Sequence, residues 1–175
     1  MNHTTFWTLI DQPEQLLSRL VALPPAEIAS FQEHLDACRA GVDTWAHWHA
    51  ADVIHGRALD DDEFYSFQSW IIGLGEARFS RVRGDPDALA DLDPVRAVAS
   101  GLVDELQWDE LGGLAWDAYQ QVTGLNLSYL LDSRGHSPPE GPDPAEQWDF
   151  SSPVETARRI PRLGELFGAG CGEVA

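Results

Sequence analysis

An acidic cluster that leads directly into an aromatic helical face is the feature that most limits how this chain can fold. Asp60 and Glu63 have the spacing of a capping box, in which each side chain bonds the other residue's backbone N–H at a helix start. Apolar side chains then recur with the helical period, at Phe64, Phe67, Trp70, Ile71 and Leu74. The pattern predicts an amphipathic helix that buries this face and continues to about Val82.

Helical patterns of the same kind fill most of the sequence. Pro25 suits the first position of a helix that Gly41 ends, and a further helix is predicted from Asp43 to His55 before Gly56. The residues from Gly124 to Leu131 are the one candidate for a short strand. We therefore predict an all-α fold, an irregular single-domain bundle of six to eight helices with little or no β-structure.

The distribution of proline and glycine suggests how the bundle is divided. We expect a helical core over residues 1–132, a Pro/Gly-rich linker over 133–147, a C-terminal helical segment over 148–167 that packs on the core, and a flexible tail over 168–175. A chain of 175 residues with 43% hydrophobic residues is long enough and apolar enough to bury a core of its own.

The sequence predicts a cytoplasmic location. Nothing approaches the roughly 18 consecutive apolar residues of a membrane span, and the N-terminus has no secretory pattern. Two cysteines, Cys38 and Cys171, do not make a disulfide framework. Cys38 lies on an apolar helical face and is expected to act as a small hydrophobic residue, whereas Cys171 lies in the glycine-rich tail.

The charge of the chain is strongly negative. Asp and Glu number 29 and the basic residues, all of them arginine, number 11, so the net charge is −18. Direct nucleic-acid binding is not expected, because phosphate contacts require basic patches. The same charge attracts cations, and it favours a basic protein surface or a cationic small molecule as the partner.

Carboxylates beside aromatic rings form the candidate binding site. Trp45, Trp48 and Asp52 share one helical face, and a carboxylate with indole walls suits a cationic group. Core packing explains the same tryptophans with fewer assumptions. The full set of candidate binding residues is Trp45, Trp48, His49, Asp52, Asp61, Asp62, Trp70, Trp116 and Tyr119.

No metal or cofactor site is predicted. His47 and His49 are two residues apart and point to different sides of a helix, and each Asp–His pair on a common face falls short of the three protein ligands of a catalytic zinc. The pairs Asp85/Asp87 and Asp91/Asp93 lack the glycine and distal glutamate of a calcium-binding loop. Phosphate-binding and dinucleotide-binding fingerprints are absent from the sequence as well.

The order of the motifs resembles a bacterial family of unknown function, the domain family numbered 4240. The resemblance is carried by Phe6-Trp7-x-Leu9-Ile10, the stretch from Trp45 to Ile54, and Asp61-Asp62-x-Phe64-x-x-Phe67-x-x-Trp70-Ile71-Ile72-x-x-Gly75. It extends through Ala115-Trp116-Asp117-Ala118-Tyr119 and Trp148-Asp149-Phe150, over about residues 4 to 167. It implies a small, mostly helical cytoplasmic protein and brings no activity, cofactor or catalytic residue with it.

Three functions follow from these observations. The first is a non-enzymatic binding or regulatory domain that uses an acidic, aromatic-lined groove for a basic or cationic partner. The second is a small-molecule enzyme in which Asp61 or Asp62 is the general base and His49 or His55 the proton partner. The third is a mimic of nucleic-acid charge, which ranks last because the acids are spread over many loops.

Overall fold

Every regular element in the described part of the chain is helical, which confirms the all-α prediction. The computed structural model describes residues 1–138 and 140–168. Within those ranges the eleven α-helices are α1 His3–Ile10, α2 Leu16–Val21, α3 Pro25–Gly41, α4 Trp45–His55, α5 Asp61–Gly73, α6 Glu76–Gly84, α7 Asp93–Ala99, α8 Leu114–Thr123, α9 Ser128–Ser133, α10 Pro153–Arg159 and α11 Pro161–Gly168. Short 3-10 helices lie at Pro13–Gln15, Pro86–Asp91, Asp109–Gly112 and Pro144–Glu146. The helices outnumber the predicted six to eight because many are only one or two turns long.

The predicted helix ends coincide with local hydrogen bonds. The Asp60 side chain accepts from the Glu63 backbone N–H, and the Glu63 side chain accepts from the Asp60 N–H, which completes the predicted capping box of α5. Gly56 ends α4 as predicted, in the left-handed conformation that glycine adopts without strain, whereas α4 begins at Trp45 rather than at the predicted Asp43 because Thr44 is its N-cap. Because these bonds span only a few residues, the sequence alone predicts them.

The helix predicted to run to Val82 is divided in two. α5 ends at Gly73, and Gly75 adopts a φ of +84° before α6 begins at Glu76. Close tertiary packing marks the end of α5: a Cβ on Gly73 would lie 2.8 Å from Cε3 of the Trp108 ring. The ring from a distant loop therefore occupies the space that a longer side chain at this glycine would need.

The core is continuous and rich in aromatic residues. Phe6, Phe31, Phe64 and Phe67 are fully buried, and they belong to one hydrophobic cluster that extends from α1 to α11. Around it α8 packs against α2 and α3, while α5 packs against α3 and α4. None of the helices described is both long and apolar enough to cross a membrane.

Two polar connections join the last helices to the rest. Asp87, which is 5% exposed, accepts hydrogen bonds from the backbone N–H groups of Arg162 and Leu163 at the start of α11. His49 of α4 bonds both Trp148 and Thr156. Among its described residues, 134–138 and 140–143, the segment between α9 and the next 3-10 helix contains no helix. Gly141 and Pro142 of this segment border a cleft between α3, α4, α5 and α8.

Candidate functional site

Two adjoining hollows lie between α3, α4, α5 and α8, and we call the pair the Tyr65 cleft. They have volumes of about 330 and about 320 Å³ and share a wall made of Asp43, Tyr65 and Gln68. The acidic compartment is the hollow that Trp45, Trp48 and Asp61 also line. The arginine compartment is the hollow that Gln32, Asp36, Arg39 and Trp116 also line.

Helical spacing places the walls of the acidic compartment. Trp45 and Trp48 are one turn apart on α4 and both are half-buried, while Asp61 and Tyr65 are one turn apart on α5 and both are exposed. The Trp48 indole stacks on the Phe64 ring with a centroid distance of 3.7 Å. That stacking fixes the indole, so the compartment has a rigid aromatic wall.

Both acids of the acidic compartment lack a cationic partner in the part of the chain that the structure describes. The Trp48 N–H donates to Oδ1 of Asp43 at 3.1 Å, and no salt bridge reaches Asp43 or Asp61 among residues 1–138 and 140–168. Burial raises the pKa of the Asp43 carboxyl, the Trp48 hydrogen bond lowers it, and the nearby charge of Asp61 raises it. The two carboxylates therefore repel each other inside a partly desolvated hollow.

A buried guanidinium defines the arginine compartment. Arg39 is 3% exposed, and its Nη2 donates to Oγ of Ser69 at 2.7 Å. Its Nε and Nη1 have no hydrogen-bond partner among the described residues, and Nη1 is 4.0 Å from the Asp36 carboxylate, beyond hydrogen-bond distance. Burial lowers the pKa of Arg39, yet a guanidinium remains charged in proteins.

Two buried amides beside Arg39 are also incompletely bonded. Gln32 donates through Nε2 to Oδ1 of Asp36 at 2.9 Å, but its Oε1 has no partner within the described chain. Gln68, only 4% exposed, has no partner for Nε2. Asp36 bonds His136 through its other oxygen at 2.8 Å. All four buried unpartnered side-chain atoms found in the described residues belong to Gln32, Arg39 and Gln68.

The arginine compartment was not predicted from the sequence, although a signal was present. Gln32, Asp36 and Arg39 follow a spacing of four and three residues, which places them on one helical face. A polar stripe that continues onto the buried side of a helix is unusual and marks a position where polar groups meet inside the protein. Gln68 lies 29 residues beyond Arg39, and only the packing of α5 on α3 brings it there.

Four of the predicted binding residues line the Tyr65 cleft: Trp45, Trp48, Asp61 and Trp116. Asp62 follows Asp61 in the first turn of α5 and is exposed, but it does not border either compartment. Tyr119 is buried in the core at 7% exposure. The predicted acidic groove therefore contains one of the two adjacent aspartates, together with Asp43.

Asp52 and Trp70 have local structural partners away from the cleft. Asp52 accepts the backbone N–H of Leu59 at 3.0 Å and so holds the loop that follows α4. Burial raises the pKa of Asp52, and the Leu59 hydrogen bond lowers it. Trp70 stacks on Phe67 with a centroid distance of 5.5 Å. Neither side chain borders the acidic compartment.

The histidines of the acid–base alternative also lie outside the cleft lining. The Trp148 indole N–H donates to Nδ1 of His49 at 3.1 Å, so this imidazole carries its proton on Nε2, which donates to Oγ1 of Thr156. Burial lowers the pKa of His49. His55 bonds the Ala51 carbonyl through Nδ1 at 2.9 Å. Both rings are therefore held by neighbours other than Asp61 and Asp62.

No group of three or more potential metal ligands converges in the residues that the structure describes. Asp85, Asp87 and Asp91, which belong to the Asp-x-Asp pairs of the sequence, all bond the Arg162 guanidinium.

Burial raises the pKa of Cys38 to about 11, which is consistent with a hydrophobic role and opposes a role as a nucleophile. Cys171 lies outside the described residues.

A larger hollow lies elsewhere, between the end of α4 and helices α10 and α11. It measures about 720 Å³ and has a mainly apolar lining that includes Val53, Pro161 and Phe167. No buried unpartnered polar atom of the described chain belongs to this lining. Size alone therefore favours this hollow as a binding site. The unpartnered polar side chains favour the Tyr65 cleft, and they are the stronger indication because they specify the groups that a ligand would have to offer.

Comparison with known proteins gives a family and no function. Residues 1–121 match the family described as "Protein of unknown function (DUF4240)", and this range contains every cleft residue named above on α3, α4, α5 and α8. The C-terminal motif from Trp148 to Phe150 lies beyond the matched range. No curated protein and no solved structure matches the chain. The match covers well over half of the sequence, and the chain belongs to the DUF4240 family.

Proposed function

We propose that this protein is a binding module whose acidic compartment receives a cationic group, a guanidinium or an ammonium. One observation carries the proposal: Asp43 and Asp61 border the same hollow as two half-buried indoles, and neither carboxylate has a cationic partner among the described residues. A cation in the hollow would relieve the repulsion between the two acids.

The walls suit a flat or methylene-rich cation. The acidic compartment combines carboxylate oxygens with aromatic faces, and cations over indole rings gain about 0.5–2 kcal/mol, more as the site is desolvated. The indole N–H groups are already engaged, because Trp45 donates to the Asp143 carbonyl at 2.7 Å and Trp48 donates to Asp43. The rings are therefore positioned before any ligand arrives, which reduces the entropic cost of binding.

The overall charge of the protein also favours a cationic ligand. A net charge of −18 draws cations toward the surface and accelerates their encounter with the cleft. Association through partly exposed carboxylates should weaken as salt is added, since charges at the surface are screened beyond about 8 Å at physiological ionic strength.

The test is a calorimetric titration with N-acetyl-L-argininamide, which has a guanidinium and no carboxylate. The neutral isostere N-acetyl-L-citrullinamide is the ligand control. We expect the arginine compound alone to bind, with Asp43→Asn weakening it by about tenfold and Asp61→Asn by about threefold, according to their burial. The amide introduced by Asp43→Asn would retain an oxygen for the Trp48 N–H, so the compartment should keep its shape.

Asp62→Asn is the matched protein control. It removes the same charge from the same helical turn, but from a side chain that does not border the cleft. This variant should bind within about twofold of wild type. Equal binding of the citrulline compound, or equal losses from Asp61→Asn and Asp62→Asn, would count against a cation in the acidic compartment.

A further inference from the structure

We infer that the arginine compartment is a subsite for an α-carboxylate, so that the Tyr65 cleft takes a basic amino acid or a peptide that ends in one. The carboxylate subsite rests on Gln32, Arg39 and Gln68 alone. Its pairing with a basic side chain rests on the proposed function of the acidic compartment.

Buried polar groups of the arginine compartment lack hydrogen-bond partners among the described residues. Arg39 leaves Nε and Nη1 unbonded at 3% exposure, and Gln32 and Gln68 each leave one amide atom unbonded while nine-tenths or more buried. Proteins rarely leave buried donors of a charged group unmatched, since desolvation then has no compensation. Three such side chains that line one hollow indicate that a ligand completes their hydrogen bonds.

The unpartnered atoms of the arginine compartment determine which ligand atoms can bond them. Arg39 and the Nε2 of Gln68 offer donors only, which calls for an acceptor with negative charge. A carboxylate can accept from two guanidinium nitrogens together, with shorter and stronger bonds than a neutral acceptor makes. Gln32 presents the opposite requirement, because its Oε1 is an acceptor. The Nε2 of this amide faces the Asp36 carboxylate, which fixes the orientation of the amide.

An α-carboxylate satisfies both requirements at once. In an amino acid or a peptide C-terminus an N–H group lies on the carbon next to the carboxylate, so it can donate to Gln32 while the carboxylate accepts from Arg39 and Gln68. A simple anion has no such donor. Because Tyr65 and Gln68 line both compartments, a side chain that leaves the same carbon can pass directly into the acidic compartment.

The Tyr65 ring covers the Arg39 guanidinium, so it has to turn for the ligand to enter. The guanidinium carbon is 3.6 Å from the ring centroid, and the tyrosine is 39% exposed. A change of rotamer would uncover the guanidinium at the cost of the cation–π contact and of the packing of the ring on Gly112, where an added Cβ would lie 2.6 Å from Cε1 of the tyrosine.

Three probes separate the two subsites: N-acetyl-L-arginine, its amide, and N-acetylglycine. The first presents carboxylate, N–H and cation, the second lacks the carboxylate, and the third lacks the cation. We expect calorimetry to show N-acetyl-L-arginine binding about tenfold more tightly than the amide. We expect ligand-observed NMR to detect weaker binding of N-acetylglycine. L-Arginine and a peptide that ends in arginine then show whether a free amino acid or a chain terminus binds better.

Two variants test the assignment. Arg39→Met should remove the tenfold preference of the protein for N-acetyl-L-arginine over its amide. Gln68→Met should reduce the preference without endangering the fold, since it replaces an amide whose Nε2 has no partner among the described residues. Gln121→Met on the exposed side of α8 is the matched control and should retain the full preference. Thermal denaturation of each variant confirms that it is folded before its binding is compared.

The outcomes distinguish the two proposals. Binding of N-acetylglycine that Gln68→Met abolishes, without added affinity from the basic side chain, would uphold the carboxylate subsite and reject the cationic compartment. Equal affinity for N-acetyl-L-arginine and its amide, with no binding of N-acetylglycine, would overturn the carboxylate subsite and leave the proposed function standing. Binding of none of the three probes would overturn both.

Discussion

The guanidinium carbon of Arg39 lies 3.6 Å from the centroid of the Tyr65 ring, so an aromatic side chain at the surface covers a buried charge. Tyr65→Ala should lower the free energy of unfolding by about 1–2 kcal/mol, through loss of the cation–π contact and of the apolar area that the ring buries. Urea denaturation measures the change. Tyr129→Ala, at a side chain that is 72% exposed, should change it by less than about 0.5 kcal/mol, and equal effects would contradict the role of the contact.

The close approach of Trp108 to Gly73 predicts an unusual response to alanine. Gly73→Ala would place a Cβ 2.8 Å from the ring, and the resulting overpacking should destabilise the fold by about 1–3 kcal/mol despite the better helix propensity of alanine. Gly84→Ala is the control, since no atom lies within 4 Å of its Cβ position. That variant should be neutral or up to about 1 kcal/mol more stable. Stabilisation by Gly73→Ala would show that the Trp108 ring moves aside freely.

Asp87 should be the most sensitive acid of its loop. It is 5% exposed and accepts the Arg162 N–H and Nε at 3.1 Å each, together with the Leu163 N–H at 2.9 Å. Asp87→Asn should cost about 2–4 kcal/mol, because an amide group would face these buried donors and Arg162 would lose one of its three carboxylate partners. Asp93→Asn, at an exposed acid, should cost less than about 1 kcal/mol. Chemical denaturation of both variants makes the comparison, and similar losses would refute it.

His47 should make stability depend on pH. The ring is 1% exposed, its Nε2 donates to the Val82 carbonyl at 3.1 Å, and its Nδ1 is 2.8 Å from the Thr44 hydroxyl. Burial lowers the pKa of His47 from 6.5 to about 4. As pH falls below 6.5 the unfolded chain binds the proton first, so the stabilisation is complete above pH 6.5 and is lost between 6.5 and about 4.

The full difference in pKa corresponds to a loss of about 3 kcal/mol across that range. His47→Gln should flatten the curve of unfolding free energy between about pH 7 and about pH 4, even if it lowers stability at neutral pH. A His47→Gln curve that runs parallel to wild type would show that another group titrates in this range.

The helix starts and ends could be predicted because they depend on neighbours within one turn. The Asp60–Glu63 box and the Gly56 stop are visible in the sequence as residue types at fixed spacing. The division at Gly75 was missed for a different reason. The apolar period of α5 continues into α6, and the Trp108 ring that packs on Gly73 comes from 35 residues further along the chain.

The candidate site shows the same distinction between short and long range. Trp45, Trp48 and Asp61 could be selected from the sequence because charge and helical spacing are properties of one segment. Asp43 and Asp61, by contrast, share a hollow only because α4 and α5 pack side by side. Asp62 has the same carboxylate as Asp61, but it lies on a different side of α5 and does not border the cleft.

The all-α bundle, its capping box and its strong negative charge can be read from the residues in order, since they follow from local hydrogen bonds and composition. Gln32, Arg39 and Gln68 lie together with unmatched donors and acceptors in the folded protein alone, because a hydrogen-bond deficit belongs to the packed state. In the unfolded chain water satisfies each of these groups, and only when α3 and α5 come together does the missing partner become visible.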